Sequence, residues 1–172
     1  MAEGEDLVIP RGFRAAAVRA GIKPSGGLDL AVLVADSSCA AAGTFTTNRV
    51  CAAPVRWDRK LVPSDSIRAV IVNAGNANAA TGTRGEEDVR RTASLAAEIL
   101  GCRPEQILVA STGVIGHPLP MENLQAGLRQ ALAAVSSEPA SFGEAAHAIM
   151  TTDTRPKPVS YTHLTLPTNR EV

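Results

Sequence analysis

Aromatic side chains are scarce in this chain: one Trp, one Tyr and three Phe among 172 residues, 3% of the sequence. Rings usually supply the large anchors of a core, so this fold must pack backbones closely on small aliphatic groups. Charge of one sign is missing too, with 17 Lys and Arg against 17 Asp and Glu and a pI near 6.8. That balance, with no basic block, excludes a general binder of nucleic acid or of anionic membranes. The three cysteines, Cys39, Cys51 and Cys102, have no metal-ligand spacing, and the histidines His117, His147 and His163 are far apart. Neither a zinc site nor a disulfide framework is readable, and the thiols suit a reducing compartment. No apolar run approaches the roughly 18 residues of a membrane helix. The acidic start, Met1–Asp6, is neither a secretory signal nor an Arg-rich transit peptide. The expectation is a cytoplasmic protein with no membrane or nucleic-acid partner and no metal.

What the sequence does contain is alanine, 29 residues of it up to Ala148 and none afterwards. With hydrophobic residues at 45% and charged residues at 20%, the composition is that of a globular domain. Buried strands are expected at Leu28–Ala35, Ala40–Thr47, Val50–Trp57, Arg68–Val72 and Ile107–Ala110. Helices are expected at Glu86–Leu100, Met121–Val135 and Pro139–Met150, where apolar residues recur at helical spacing. Strands leading and helices following give an α/β (α+β) fold class around a mostly buried sheet. Residues 1–8 read as a loose N-terminus and 9–157 as one domain. Residues 158–172 have a Thr/Leu/Pro composition unlike the rest, and resemble translated sequencing-adapter read-through rather than native sequence.

Four polar segments could carry chemistry. Asn73–Gly82 holds three asparagines within six residues, separated by Ala and Gly. Their amides could meet a ligand, or could satisfy their own loop through Asx turns. Ala110–Gly116 places Ser111, Thr112 and Gly113 at a strand end. A Thr hydroxyl and a Gly N–H aimed at one point suit a developing oxyanion, although an ordinary strand-to-helix turn has the same spacing. His117 is the nearest imidazole in sequence, yet beside Pro118 it reads as a surface or packing residue. Met150–Lys157 crowds three Thr hydroxyls, a carboxylate and two cations together, fit for a zwitterionic amino acid or for a solvated helix exit. Thr46–Arg49 is a similar cluster, whose Arg could pair with a carboxylate.

Taken in order, GFRAAAVRAGIK (12–23), AAGTFTTNRVCAAPV (41–55), VNAGNANAATG (72–82), VASTGVIGHPLPM (109–121) and AIMTTDTRPK (148–157) strongly resemble the N-terminal part of the glutamate N-acetyltransferase / ornithine acetyltransferase family of arginine biosynthesis. The resemblance covers roughly residues 8–157. It implies an N-terminal-nucleophile-like acetyltransferase fold, made as a precursor that cuts itself into α and β chains and assembles as an α2β2 heterotetramer. The Thr exposed at the start of the β chain attacks N-acetylornithine, and the acetyl-enzyme passes its acetyl group to glutamate. No cofactor is implied; acetyl-CoA is an alternative acetyl donor left open. Thr112 and Gly113 match the family's oxyanion hole, and Thr151 or Thr152 its substrate-contacting Thr. The Lys-Gly segment and the ATML-type cleavage motif do not occur here, and Thr165 and Thr168 match neither. The chain therefore reads as an N-terminal, α-chain fragment without its nucleophile, inactive alone. Two other readings stay open: a related self-cleaving amidase or aminopeptidase, and a non-catalytic amino-acid-binding module.

Overall fold

A computed structural model describes residues 8–159. Apart from Pro158 and Val159, the segment read as foreign lies outside the described residues. The chain runs β1 (Phe13–Val18), β2 (Leu30–Ala41), α1 (Ala53–Asp58), β3 (Ser64–Asn76), α2 (Gly82–Leu100), a 3-10 turn at Pro104–Gln106, β4 (Ile107–Val114), α3 (Met121–Ala133) and α4 (Pro139–Ala148). The four strands form one sheet in the order β1-β2-β3-β4. The first two pairings are antiparallel. β3 and β4 are parallel, joined by the crossover helix α2.

Alternation along the strands sorts the side chains between two faces. On the first face Leu30, Val32, Val34, Ala69, Ile71, Ile107 and Val109 are buried under α2 and α3, which contribute Val89, Ala93, Ala96, Leu124, Leu128 and Ala131. So many alanines in this layer let helix and sheet backbones approach, as the shortage of rings requires. The second face is thinner. There Ala15 and Ala31, with Val72 and Leu28 beside them, meet Ala145, Ala148 and Phe142 of α4. This short helix packs on β1 and β2, and Leu33 on the same face stays 38% exposed.

Two strand expectations are corrected. Val50–Trp57 is not a strand, since Ala53–Asp58 is helical, with Pro54 preset for the first turn. Ala40–Thr47 is not a separate strand either: β2 continues through bulges at Cys39 to Ala41, after which the chain is irregular. β1 was not foreseen, because FRAAAV carries little intrinsic strand preference. Six residues of antiparallel pairing with β2, from Phe13↔Ala35 to Val18↔Leu30, decide its conformation instead. α2 begins at Gly82, four residues before its expected start at Glu86.

Helix α1 closes the outer edge of β4. Trp57 Nε1 donates to Ile107 O at 3.0 Å, and Asp58 Oδ1 accepts from the Val109 N–H at 2.9 Å. These side chains occupy backbone groups that an edge strand would otherwise leave open. Burial pushes the Asp58 carboxyl up to about 6, against the opposing pull of the Val109 N–H. The neutral acid is thus favoured in the fold. Its contribution to stability is fully present below about pH 4 and is lost as pH rises through about 6. We expect Asp58→Asn, which keeps the acceptor and removes the charge, to flatten the loss of stability between pH 4 and 7 in denaturant titrations. An unchanged slope would show that Asp58 is not its source.

Candidate active site

The site is built where β3 and β4 end and β2 begins. Asn73, Asn76 and Asn78 are all buried there. Asn73 Nδ2 donates to Asn76 O at 2.8 Å, while its Oδ1 accepts from Ser111 Oγ at 2.6 Å. Asn76 Nδ2 donates to the carbonyls of His117 and Pro118, at 3.0 and 3.1 Å, and its Oδ1 accepts from the Asn78 N–H. Asn78 Nδ2 donates to Gly85 O at 3.0 Å, and its Oδ1 accepts from Thr81 Oγ1. Of the two readings of this segment, the structure selects the backbone-satisfying one. The asparagines are a frame that fixes where β4 ends, and each amide is engaged within it.

That frame sets the position of Gly113. The residue has φ +134°, which an L side chain rarely adopts, and pairs with Gly75 of β3. A Cβ on Gly113 would lie 2.3 Å from Gly75 C and 2.6 Å from Asn76 N. Glycine is required there for space as well as for conformation. Thr112 pairs with Ala74, which by strand alternation puts its side chain on the second face, the face of α4. Its hydroxyl makes no hydrogen bond among the described residues, whereas the neighbouring Ser111 hydroxyl is consumed by Asn73.

The β1–β2 connection packs against the same spot. The fully buried Asp29 carboxylate accepts the N–H groups of Ala20, Ile22 and Lys23, at 2.6, 2.6 and 2.9 Å, and so curls the connection tightly. Lys23 Nζ donates to Leu28 O at 2.8 Å and to Ala148 O, at the end of α4, at 2.9 Å. Burial pulls the Lys23 ammonium below the usual lysine range, and Asp29 opposes that shift. Sequence reasoning missed this residue as a site element. Lys23 lies in the first of the family-like segments, but no pattern along the chain announces a contact with residue 148.

Thr151 and Thr152 lie three and four residues beyond the end of α4 and are exposed. Beside them a cleft of about 290 Å³ is lined by Ile149, Met150, Asp153, Arg155 and Lys157, among others. Asp153 and Lys157 form an ion pair across one turn, and this partner holds the Asp153 carboxyl below the usual range. A chain of close approaches links the two groups of candidates, from Gly113 to Gly75, from Gly75 to Lys23, and from Lys23 to the end of α4. Thr112 and Gly113 therefore lie at the same end of the sheet as the last residue of α4, Ala148.

Thr46–Arg49 is not drawn in by any such contact. Thr46 Oγ1 and Asn48 Oδ1 accept backbone N–H groups two residues on, and Arg59 holds the loop through Thr46 O and the Phe45 ring. His117 is exposed and touches the frame through its carbonyl alone. Among the described residues, no group of three His, Cys, Asp or Glu could hold a metal, and no helix is long and apolar enough to cross a membrane.

Comparison with known proteins gives a consistent answer. The ArgJ family model matches residues 14–171. The arginine biosynthesis bifunctional protein ArgJ of Geobacter sulfurreducens is 52% identical over 147 residues, which are 86% of this chain and 37% of that protein. Its counterpart in Thermus thermophilus is 56% identical over 151 residues, 87% of this chain and 38% of that protein. The chain thus spans well under half the length of these curated relatives. Among solved structures, ornithine acetyltransferase of Mycobacterium tuberculosis, complexed with ornithine, superposes with a TM-score of 0.84 at 43% identity, over 88% of this chain and 82% of that one. ArgJ of Bacillus halodurans superposes with a TM-score of 0.79 at 34% identity, over 84% of this chain and 74% of that one. The α/β fold implied by the resemblance is the one present.

Proposed function

Because the chain belongs to the ArgJ family, we propose that it is the N-terminal, α-chain portion of an arginine-biosynthesis enzyme that moves acetyl from N2-acetyl-L-ornithine to L-glutamate. One observation carries the reading: the Gly113 backbone is forced against Gly75 in a conformation that only glycine takes easily, beside a Thr112 hydroxyl with no hydrogen-bond partner among the described residues. On this reading the Thr112 hydroxyl and the Gly113 N–H, adjacent in the chain at the end of β4, act as the two donors.

In this mechanism a Thr hydroxyl from the remainder of the parent attacks the acetyl carbonyl of N-acetylornithine. The Thr112 hydroxyl and the Gly113 N–H donate to the carbonyl oxygen as it gains negative charge. Collapse of the tetrahedral intermediate expels ornithine, whose amine takes up the proton lost by the nucleophile, and leaves an acetyl ester on the enzyme. The glutamate amine then attacks that ester through a second intermediate held by the same donors. Thr151 or Thr152 contacts the amino-acid part of the substrate. Acetyl-CoA as a second acetyl donor to glutamate stays an open alternative within this proposal.

The division of the parent into two chains, and its α2β2 assembly, belong to the same proposal. Most of this chain covers 82% of the solved M. tuberculosis chain but 37% of a whole curated relative, as expected if the family's precursors are cut near their middle. On this reading the natural gene continues past codon 157 into a Lys-Gly segment and an ATML-like site, and residues 158–172 are foreign even though the family match extends to residue 171. The test is an assay of acetyl transfer from N-acetylornithine to glutamate. The full-length parent should be active, whereas the purified 172-residue chain should show no transfer and should aggregate through its uncovered second face. Transfer by the short chain, or none by the parent, would refute the assignment.

A further inference from the structure

We propose that Lys23 is a positioning residue of this site: it fixes the end of α4, and with it Thr151 and Thr152, against the turn that carries Thr112 and Gly113. The proposal rests on the acetyltransferase reading for its chemistry, but its geometry stands alone. Among the described residues, Lys23 is the one side chain bonded to both the β1–β2 connection, at Leu28 O, and the last residue of α4, at Ala148 O. Its stem lies so close to β3 that a Cβ on Gly75 would come within 3.0 Å of Lys23 Cγ. Gly75 in turn is the backbone that confines Gly113.

Lysine suits this place for two reasons. Ala148 O is among the carbonyls that α4 leaves without an intrahelical partner, at the negative end of the helix dipole, where an ammonium is favoured. The connection that delivers Lys23 is itself clamped, because the Asp29 carboxylate takes three of its N–H groups, including that of Lys23. The clamp makes Lys23 a rigid strut rather than a mobile surface cation. Without it, α4 is held by the thin apolar layer of the second face, alanines with Leu28, Val72 and Phe142 beside them, and its exit can drift relative to the oxyanion turn. Such drift loosens the grip of the substrate-holding segment while leaving the oxyanion turn in place, so its cost falls first on KM.

Two readouts in the full-length parent test this. The first uses spin labels at Ile115 and Thr154, both exposed, in a background free of native cysteines. Lys23→Met should broaden or shift the distance distribution between them, and Lys23→Gln, which keeps a donor, should do so less. The second is steady-state kinetics. Lys23→Met should raise KM for N-acetylornithine by about tenfold and change kcat by less than about threefold, because binding is lost more than oxyanion stabilisation. If Lys23→Met does not fold, the same two measurements on Lys23→Gln decide. An unchanged distance distribution overturns the proposal, and so does a fall in kcat at constant KM. A wild-type parent that transfers no acetyl group refutes the acetyltransferase reading instead, and the distance measurement still judges Lys23.

Discussion

Thr112→Ala in the full-length parent should lower kcat by a factor on the order of 10²–10³, the cost of deleting one oxyanion donor. The expectation is specific to this hydroxyl. Ser111, one residue earlier, spends its hydroxyl on Asn73 within the first face. Thr112, with the opposite strand phase, faces the open side and bonds to nothing among the described residues. Removing it should therefore leave folding almost untouched, since no buried partner is orphaned. Thr112→Ser restores the donor without the methyl group and should recover most of the lost rate. Steady-state kinetics and thermal melts of the two variants check both statements. Equal activity of Thr112→Ala and wild type would remove Thr112 from the oxyanion hole.

Gly113→Ala should do more, because it damages the turn itself. The new Cβ would stand 2.3 Å from Gly75 C and 2.7 Å from Gly75 O, both backbone atoms of the paired parallel strand. Neither can move aside as a flexible side chain can, so β3 and β4 must part at this rung while the residue also strains at φ +134°. A loss of about 3 kcal/mol or more of stability is expected, with activity falling below detection as the second donor moves. Gly116→Ala is the control. It too has a positive φ, +83°, but a Cβ there meets nothing within 4 Å. It should cost about 1 kcal/mol, the price of the backbone conformation alone. If the two variants melt alike, the close approach to Gly75 is not what makes glycine necessary at 113.

Long periodic segments were legible in the sequence. Helices α3 and α4 start at the residues expected, Met121 and Pro139, because apolar spacing and Pro139 mark them locally. The strands around Leu30, Ile71 and Ile107 were visible as short apolar runs. β1 was not, since an alanine-rich run becomes a strand only when a neighbour supplies the ladder. α1 was misread for a related reason: Val55 and Trp57 favour strands, but Pro54 at the first turn and the contacts of Trp57 and Asp58 with β4 fix a helix. Around the site, Thr112–Gly113 and the Thr151–Thr152 segment stood out as motifs. Their common location did not, because it depends on Lys23 reaching Ala148 across 125 residues. The asparagines were ambiguous in sequence for a plain reason. An amide that binds a ligand and one that caps a turn look alike until their partners are seen.

The central claim is that these residues serve a covalent acetyl-enzyme. Intact-mass analysis of the full-length parent after mixing with N-acetylornithine alone, without glutamate, tests it most directly. The account predicts that one polypeptide of the parent gains the mass of a single acetyl group, that glutamate discharges it as N-acetylglutamate, and that Thr112→Ala slows its formation. A parent that forms N-acetylglutamate while no acetylated protein ever accumulates, even with Thr112 intact and glutamate withheld, would contradict it.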